Sequence, residues 1–332
     1  MENRKIIEIG EILEKANTGL DAIKRAPIVE YDSGIKCLRI QDVSQSKKFE
    51  DWGFTEVSEN NFGKFQLKKG DIIVARTGAT IGVNRFINED INAVFNNGLI
   101  KLKVNENKCL PKYLFYNLQS YNYWGYIDGI SGGTSTQPNM QINALLKYEI
   151  QLPPLPEQKA IASVLSSLDD KIDLLHQQNQ TLEALAETLF RQWFIEEAKE
   201  DWEDCTIEDL CIKINSGGTP STKIDSYYNG NINWYSTKEL NDNFLFSSNS
   251  KITQEGLDNS SAKIFPAGTV VIAIYAAPTV GRLGILTEDS AFNQAACGLV
   301  ANDKICSKEF LYLYLKNQRV ELNLMASGLD LF

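Results

Sequence analysis

The sequence predicts an α+β protein: two β-rich domains of one fold, separated by a long helix of coiled-coil type. Three observations carry that reading. The segments on either side of residues 152–200 echo each other at a near-constant offset. Between them, a stretch free of glycine and of proline after Pro156 spaces its apolar residues by steps of three and four. Each echoing segment consists of short β-runs broken by glycine and Asn/Asp turns, with one helix near its end and no alternating βαβ pattern. The boundaries follow as 1–151, 152–200 and 201–332, the last domain lacking its final strand and a second helix of its own.

The first domain opens with Ile9-Gly10-Glu11-Ile12, echoed by Ile207-Glu208-Asp209-Leu210. Leu67 to Ala75 (LKKGDIIVA) returns as Phe265 to Ala273 (FPAGTVVIA), and Phe95-Asn96-Asn97 as Phe292-Asn293-Gln294. Tyr113-Leu114 returns as Phe310-Leu311, and Ser131-Gly132 as Ser327-Gly328. The offset stays between 196 and 199, which chance does not readily produce over more than a hundred residues. Strands are expected at 71–75, 92–95 and 99–104, with a helix at 111–120. The second copy repeats them at 269–275, 299–301 and 307–320.

The central helix is expected from Pro156 to about Ala198. Leu152-Pro153-Pro154-Leu155 cannot continue a helix backwards, whereas proline suits the first helical position. One apolar row is Ile161, Leu168, Leu175, Leu182 and Leu189; the other is Leu165, Ile172, Asn179, Ala186 and Trp193. Such a seam calls for a partner helix, and Asn179 occupies a position where a buried Asn often fixes register. Roughly forty residues at 1.5 Å each give a rod on the order of 60 Å.

Net charge is −10, unevenly spread. Residues 1–150 hold 19 basic and 18 acidic side chains (+1), 151–200 hold 4 and 9 (−5), and 201–332 hold 10 and 16 (−6). A lone DNA-binding domain is usually basic, because phosphate contacts supply most of its affinity. DNA binding by this chain therefore calls for basic partners. The longest apolar run, 270–277, is too short to span a bilayer, and the charged N-terminus has no signal-peptide core, so a cytoplasmic protein with no membrane partner is expected.

The sequence offers little catalytic chemistry. Six cysteines lie scattered without a CxxC pair, and His176 is the sole histidine, which disfavours a metal site or a His-dependent triad. There is no GxxxxGK[ST] phosphate loop. What remains are loops suited to reading a groove. Arg76, Thr77, Gly78 and Thr80 leave a strand, and Arg can fork onto guanine while Thr and backbone N–H groups hold phosphate. Gly132, Gly133, Thr134, Ser135 and Gln137 form a hydroxyl-rich turn, and Lys24, Arg25, Arg39 and Gln41 add donors. In the second copy the corresponding candidates are Gly217, Gly218, Thr219, Ser221 and Lys223, with Tyr275 and Arg282. Taken singly, each loop also fits an ordinary solvated turn.

Leu152 to Gln158 (LPPLPEQ) running into a helix with Ile161, Leu165, Asp169, Lys171 and Ile172 resembles the specificity subunit of type I restriction–modification enzymes. Gly132-Gly133-Thr134 with Gln137-Pro138-Asn139, and Gly217-Gly218-Thr219-Pro220-Ser221, match the same family. The resemblance covers essentially the whole chain. It implies that each domain is a target-recognition domain for one half of a split double-stranded DNA sequence, and that the helix sets the gap. It also implies a chain that catalyses nothing and binds no cofactor itself. S-adenosylmethionine belongs to partner methyltransferase subunits that modify adenine; ATP and Mg belong to restriction/translocase subunits. Members of the family carry a second helix antiparallel to the first. The truncated end here leaves the seam to self-pairing or to a complementary chain. A scaffold that binds methyltransferase subunits without specifying a target is the alternative.

Overall fold

Two echoing apolar runs, Ile72–Ala75 and Val270–Ala273, are strands buried on both faces. An unbroken apolar run fits that position, because neither set of alternating side chains meets water. Around them the computed structural model describes residues 5–131, 139–274 and 279–326. The chain divides into two compact units, Met1–Leu174 and Leu175–Phe332.

In the first unit the strands are β1 (Lys5–Glu8), β2 (Leu13–Thr18), β3 (Ile28–Val29), β4 (Lys36–Leu38), β5 (Phe54–Thr55), β6 (Ile72–Ala75), β7 (Asn84–Phe86), β8 (Ala93–Phe95), β9 (Leu99–Val104) and β10 (Glu149–Leu152). The helices are α1 (Ile40–Ser44), α2 (Glu59–Phe65), α3 (Pro111–Asn117), α4 (Tyr121–Ser131), α5 (Ile142–Leu146) and the beginning of α6 (Leu155–Arg191). One sheet has the order β2-β9-β6-β7, a second β3-β5-β4-β8, and β1 pairs with β10. Within the second sheet β4 and β8 run parallel, Leu38 opposite Phe95.

The second unit contains the rest of α6, then β11 (Cys211–Ser216), β12 (Tyr228–Tyr235), β13 (Asn243–Leu245), β14 (Ser250–Ile252), β15 (Val270–Ala273), β16 (Leu283–Leu286), β17 (Ala291–Phe292) and β18 (Ala296–Ala301). Its helices are α7 (Gln254–Asp258), α8 (Lys308–Asn317) and α9 (Arg319–Ala326). The sheet orders are β11-β18-β15-β16-β13 and β14-β12-β17. Here β12 and β17 are parallel, Tyr235 opposite Phe292. The run β2-β9-β6-β7 recurs as β11-β18-β15-β16 and the run β5-β4-β8 as β14-β12-β17, whereas β1, β3 and β10 are described in the first unit alone and β13 in the second alone.

The cores repeat as well. Ile72 and Val74 face a cluster with Ile100, Leu102, Leu114 and Tyr123, whereas Ile73 and Ala75 face Leu38, Trp52, Phe95 and Leu99. Val270 and Ile272 likewise face Leu283, Leu311 and Leu315, while Val271 and Ala273 face Tyr235, Phe265 and Phe292. At about 1.5–3 kcal/mol per large buried apolar side chain, this two-sided strand is the main apolar anchor of each unit.

Two expectations need correction. The single helix near the end of each copy is two: α3 and α4 in the first unit, α8 and α9 in the second. The first pair breaks because Ser120 Oγ accepts the Tyr123 N–H (3.2 Å) and starts a new helix. That turn sends the Tyr123 hydroxyl to the Gly82 carbonyl (3.0 Å). In the second unit Arg319 Nε donates to the equivalent Gly281 carbonyl (2.8 Å). The long helix also stops being α-helical earlier than expected, at Arg191, and continues as one π turn over Gln192–Glu196.

Along the seam, Ile161 and Leu165 are partly buried in the first unit and Leu189 in the second. Leu168, Ile172, Leu175, Leu182 and Trp193 are roughly half exposed, and Asn179 is exposed with them. In the second unit the side chain that α6 buries is Phe190, 4% exposed, between Phe194 and Phe310.

Candidate DNA interface

The hairpin joining the doubly buried strand to its neighbour is built alike in both units. Gly82 N–H donates to the Ala75 carbonyl and Gly281 N–H to the Ala273 carbonyl, each at 2.9 Å. Both glycines hold positive φ (89° and 77°), a backbone region that suits residues without a Cβ. Strand pairing sets Arg76 level with Ile274, and Arg282 level with Val83. Each unit therefore carries an arginine at the tip of this hairpin, on opposite arms, and the first unit has a second one, Arg85, further along β7.

Arg76 is held by neutral groups. Its Nη2 donates to Asn139 Oδ1 at 2.8 Å, and its carbonyl accepts the Met140 N–H. Its Nε is buried with no partner among the described residues. Thr77 bridges to Asn139, Gly78 is exposed with φ 79°, and Thr80 is partly exposed, its carbonyl accepting the Val83 N–H. Arg282 meets another neutral partner, Asn241 Oδ1, at 3.4 Å. Among the described residues neither arginine has a carboxylate within ion-pair distance, which leaves each guanidinium able to meet an incoming anion.

Gly98 brings a second segment to the Arg76 loop. A Cβ there would lie 2.3 Å from Ile40 Cδ1 and 3.3 Å from Thr77 Oγ1. Exposed Gln41, the next residue of α1, thus sits beside this loop. Arg39 is buried, however, with Nε and Nη2 unpartnered among the described residues. A Cβ on Gly53 would lie 2.5 Å from its Nη1, so the bare glycine makes room for the guanidinium. The expected surface donor lies in the interior.

Lys24 and Arg25 line a different depression, with Tyr31, Ser33 and Glu56. Arg25 Nε binds Asp21 at 2.6 Å; that bond and the Lys24 N–H pull the Asp21 pKa to about 2. Much of the positive charge expected from Arg25 is answered locally.

In the second unit Gly217 and Gly218 are buried. A Cβ on Gly217 would lie 2.1 Å from the Phe292 carbonyl oxygen, and one on Gly218 2.2 Å from the Ser261 carbonyl carbon. These glycines let the chain press against its own backbone, in place of the open approach expected of them. The counterpart of Gly217 is Gly19, 2.1 Å by the same measure from the Phe95 oxygen. Thr219 Oγ1 donates to Gln294, while Ser221 and Lys223 are exposed. Gly132, Gly133, Thr134, Ser135, Gln137 and Tyr275 lie outside the described residues.

Asn96 and Asn293 were not among the expected residues. Each follows the last residue of the parallel pair, each backbone N–H meets the facing strand (Leu38 O 3.1 Å, Tyr235 O 2.9 Å), and each Oδ1 is buried without a partner among the described residues. The echo FNN/FNQ carried that signal.

With this geometry in view, the family comparison is decisive. The profile of the type I restriction modification DNA specificity domain matches residues 1–184 and again 199–329. The chain belongs to this family. It is 24% identical to the HindI type I restriction enzyme specificity subunit of Haemophilus influenzae, over 80% of this chain and 74% of that one. It is 30% identical to the MjaVIII specificity subunit of Methanocaldococcus jannaschii over 53% of this chain and 44% of that one, so it spans under half the length of that relative. A crystal structure of a type I system S subunit from M. genitalium shares the fold: TM-score 0.59 at 16% identity, covering 99% of this chain and 80% of that one. The family description names recognition of DNA rather than a reaction. Among the described residues there is no group of three or more His, Cys, Asp or Glu side chains placed to hold a metal, and no helix long and apolar enough to cross a membrane.

Proposed function

We propose that the two units read the two halves of a bipartite DNA target and thereby direct adenine methylation and restriction by partner subunits. The observation that carries this reading is the duplication. One fold, matched twice by one DNA-specificity family, presents the same hairpin with different side chains in each copy. Equal scaffolds with unequal loops suit two half-sites of unequal sequence.

Arg76 and Arg282 are the proposed base or phosphate contacts, with Thr77, Gly78, Thr80, Gln41, Thr219, Ser221 and Lys223 as further candidate contacts. The chain supplies no cofactor chemistry on this reading; methyl donor, ATP and Mg are handled by methyltransferase and translocase subunits. The acidic balance of the chain leaves much of the phosphate attraction to those partners. The exposed seam from Leu168 to Leu182 is the surface proposed for helix pairing, by a second copy or a complementary chain.

The experiment is an exchange of residues 20–140 for the corresponding segment of another family member, followed by methylation mapping with the methyltransferase subunits present. One half-site changes and the other stays. An unchanged target sinks the reading, and co-purification with methyltransferase without any target-dependent methylation makes the chain a scaffold.

A further inference from the structure

One cavity lies apart from every loop discussed above. It opens in the first unit between the residues before β6, the end of β7, the start of α3 and the early turns of α6, and measures about 650 Å³. Its floor is apolar: Phe86, Leu110, Pro111 and Ala162. Its rim is cationic, with Lys69, Lys112 and Lys159; Glu106 is the one acidic residue among the described lining. Lys112 Nζ donates to the Ser166 hydroxyl at 3.0 Å and stands 5.9 Å from the centroid of the Phe86 ring.

Among the described residues, none of the three amines has a carboxylate within ion-pair distance. Three ammonium groups around one cavity repel each other, and an anion held between them removes that repulsion. The repeat does not account for them. At the equivalent places the second unit has Ala267 for Lys69 and Glu309 for Lys112, and Glu309 is paired with Lys308 at 3.2 Å. Two of the three amines, Lys69 and Lys112, are thus not repeated in the second unit.

We propose that this cavity binds a phosphate-bearing ligand of nucleotide size. A flat apolar group lies over Phe86, and the phosphates take the place among the three amines. The volume falls within the roughly 300–1,000 Å³ of small-molecule sites, and lysine is a well-suited point charge for phosphate. Charge gathered at a rim above one aromatic floor matches a ligand that is anionic at one end and flat at the other. An acidic peptide would spread its carboxylates along a groove. The phosphates can come from a free nucleotide or from a nucleic acid. The proposal stands whether or not the chain reads a bipartite target.

The test titrates the full chain calorimetrically with ATP, with a short DNA duplex and with a poly-glutamate peptide. The wild type is compared with Lys69→Ala/Lys159→Ala, two exposed positions whose thermal midpoint should not move, and with Lys112→Gln. Saturable ATP binding weakened about tenfold in both variants assigns the cavity to a free nucleotide. Duplex binding weakened alone, with a shallower salt dependence, assigns it to nucleic-acid phosphates. If neither ligand loses affinity in either variant, or if the peptide binds there without competition from ATP or duplex, the proposal is overturned.

Discussion

Both units grip the same helix, and they do so with different chemistry. In the first unit the grip is polar. The Gln158 side chain, 1% exposed, accepts the Leu110 N–H at 2.9 Å and donates to the Pro153 carbonyl at 2.8 Å. Tyr116 adds a bond to Asp169 (2.7 Å), and Lys112 one to Ser166. In the second unit the grip is aromatic: Phe190 and Phe194 pack on Phe310 of α8 with ring centroids 5.3 and 5.0 Å away. Among the described residues, the ionic contact between α6 and α8 is Lys316 to Glu187 (2.7 Å). Directional hydrogen bonds fix one helical rotation, whereas an apolar contact tolerates rolling. The π turn at Gln192–Glu196 falls at the apolar grip.

The largest break in that comparison should come from Phe190→Ala. Emptying a site 4% exposed is expected to cost about 3–4 kcal/mol, read by denaturant unfolding as loss in the second unit only. Equal losses in both units would show that the grips are not independent. Gly19→Ala and Gly217→Ala come next, at about 2–3 kcal/mol or more each, because the new methyl meets a carbonyl oxygen in both units. A large cost in one and none in the other would mean the repeat is less faithful than its strand pairing.

Gln158→Ala leaves the Leu110 N–H and the Pro153 carbonyl without their side-chain partner and should cost about 2 kcal/mol. Hydrogen exchange should rise at Leu110 and the start of α6 while the Phe190 region stays protected. Unchanged protection at Leu110 would remove the polar lock from the account.

The smallest effect concerns Asp242, which also carries a positive φ (58°). Burial opposes its ionisation. The fork from Arg319, with Nη1 at 2.8 Å, and the Leu283 N–H outweigh that and hold its pKa below 3.8. A depressed carboxylate contributes stability above its unfolded value and loses it as pH falls through the folded one. Asp242→Asn should thus cost about 1 kcal/mol at neutral pH, and the wild-type advantage should fade below about pH 4. An advantage that persists at pH 2.5 would assign the effect to shape rather than charge.

Much of the fold was legible because it repeats. DIIVA and TVVIA could be read as strands from their composition, and the helix start from Pro156, but their burial on both faces comes from the fold. Tertiary contacts hid the rest. The break between α3 and α4 depends on one Ser120 hydroxyl, and Ser120 sits in a run that otherwise continues a helix. The heptad rows pointed to Leu189 and Trp193, but the face that α6 buries in the second unit is set by Phe310, far away in sequence, and it selects Phe190. Of the candidate interface, the Arg76 loop was visible as a polar strand exit. The interior places of Arg39 and Gly217 were not, because a buried arginine and an exposed one look alike in sequence. Gln158 stood inside the LPPLPEQ motif that identified the family, yet only its hydrogen bonds reveal it as a fastening.

The most direct measurement is base-resolution mapping of adenine methylation in host DNA with the gene intact, deleted, and carrying Arg76→Ala. The account predicts a split target that vanishes on deletion and is relaxed in one half only by the substitution. Methylation identical in all three strains would contradict it.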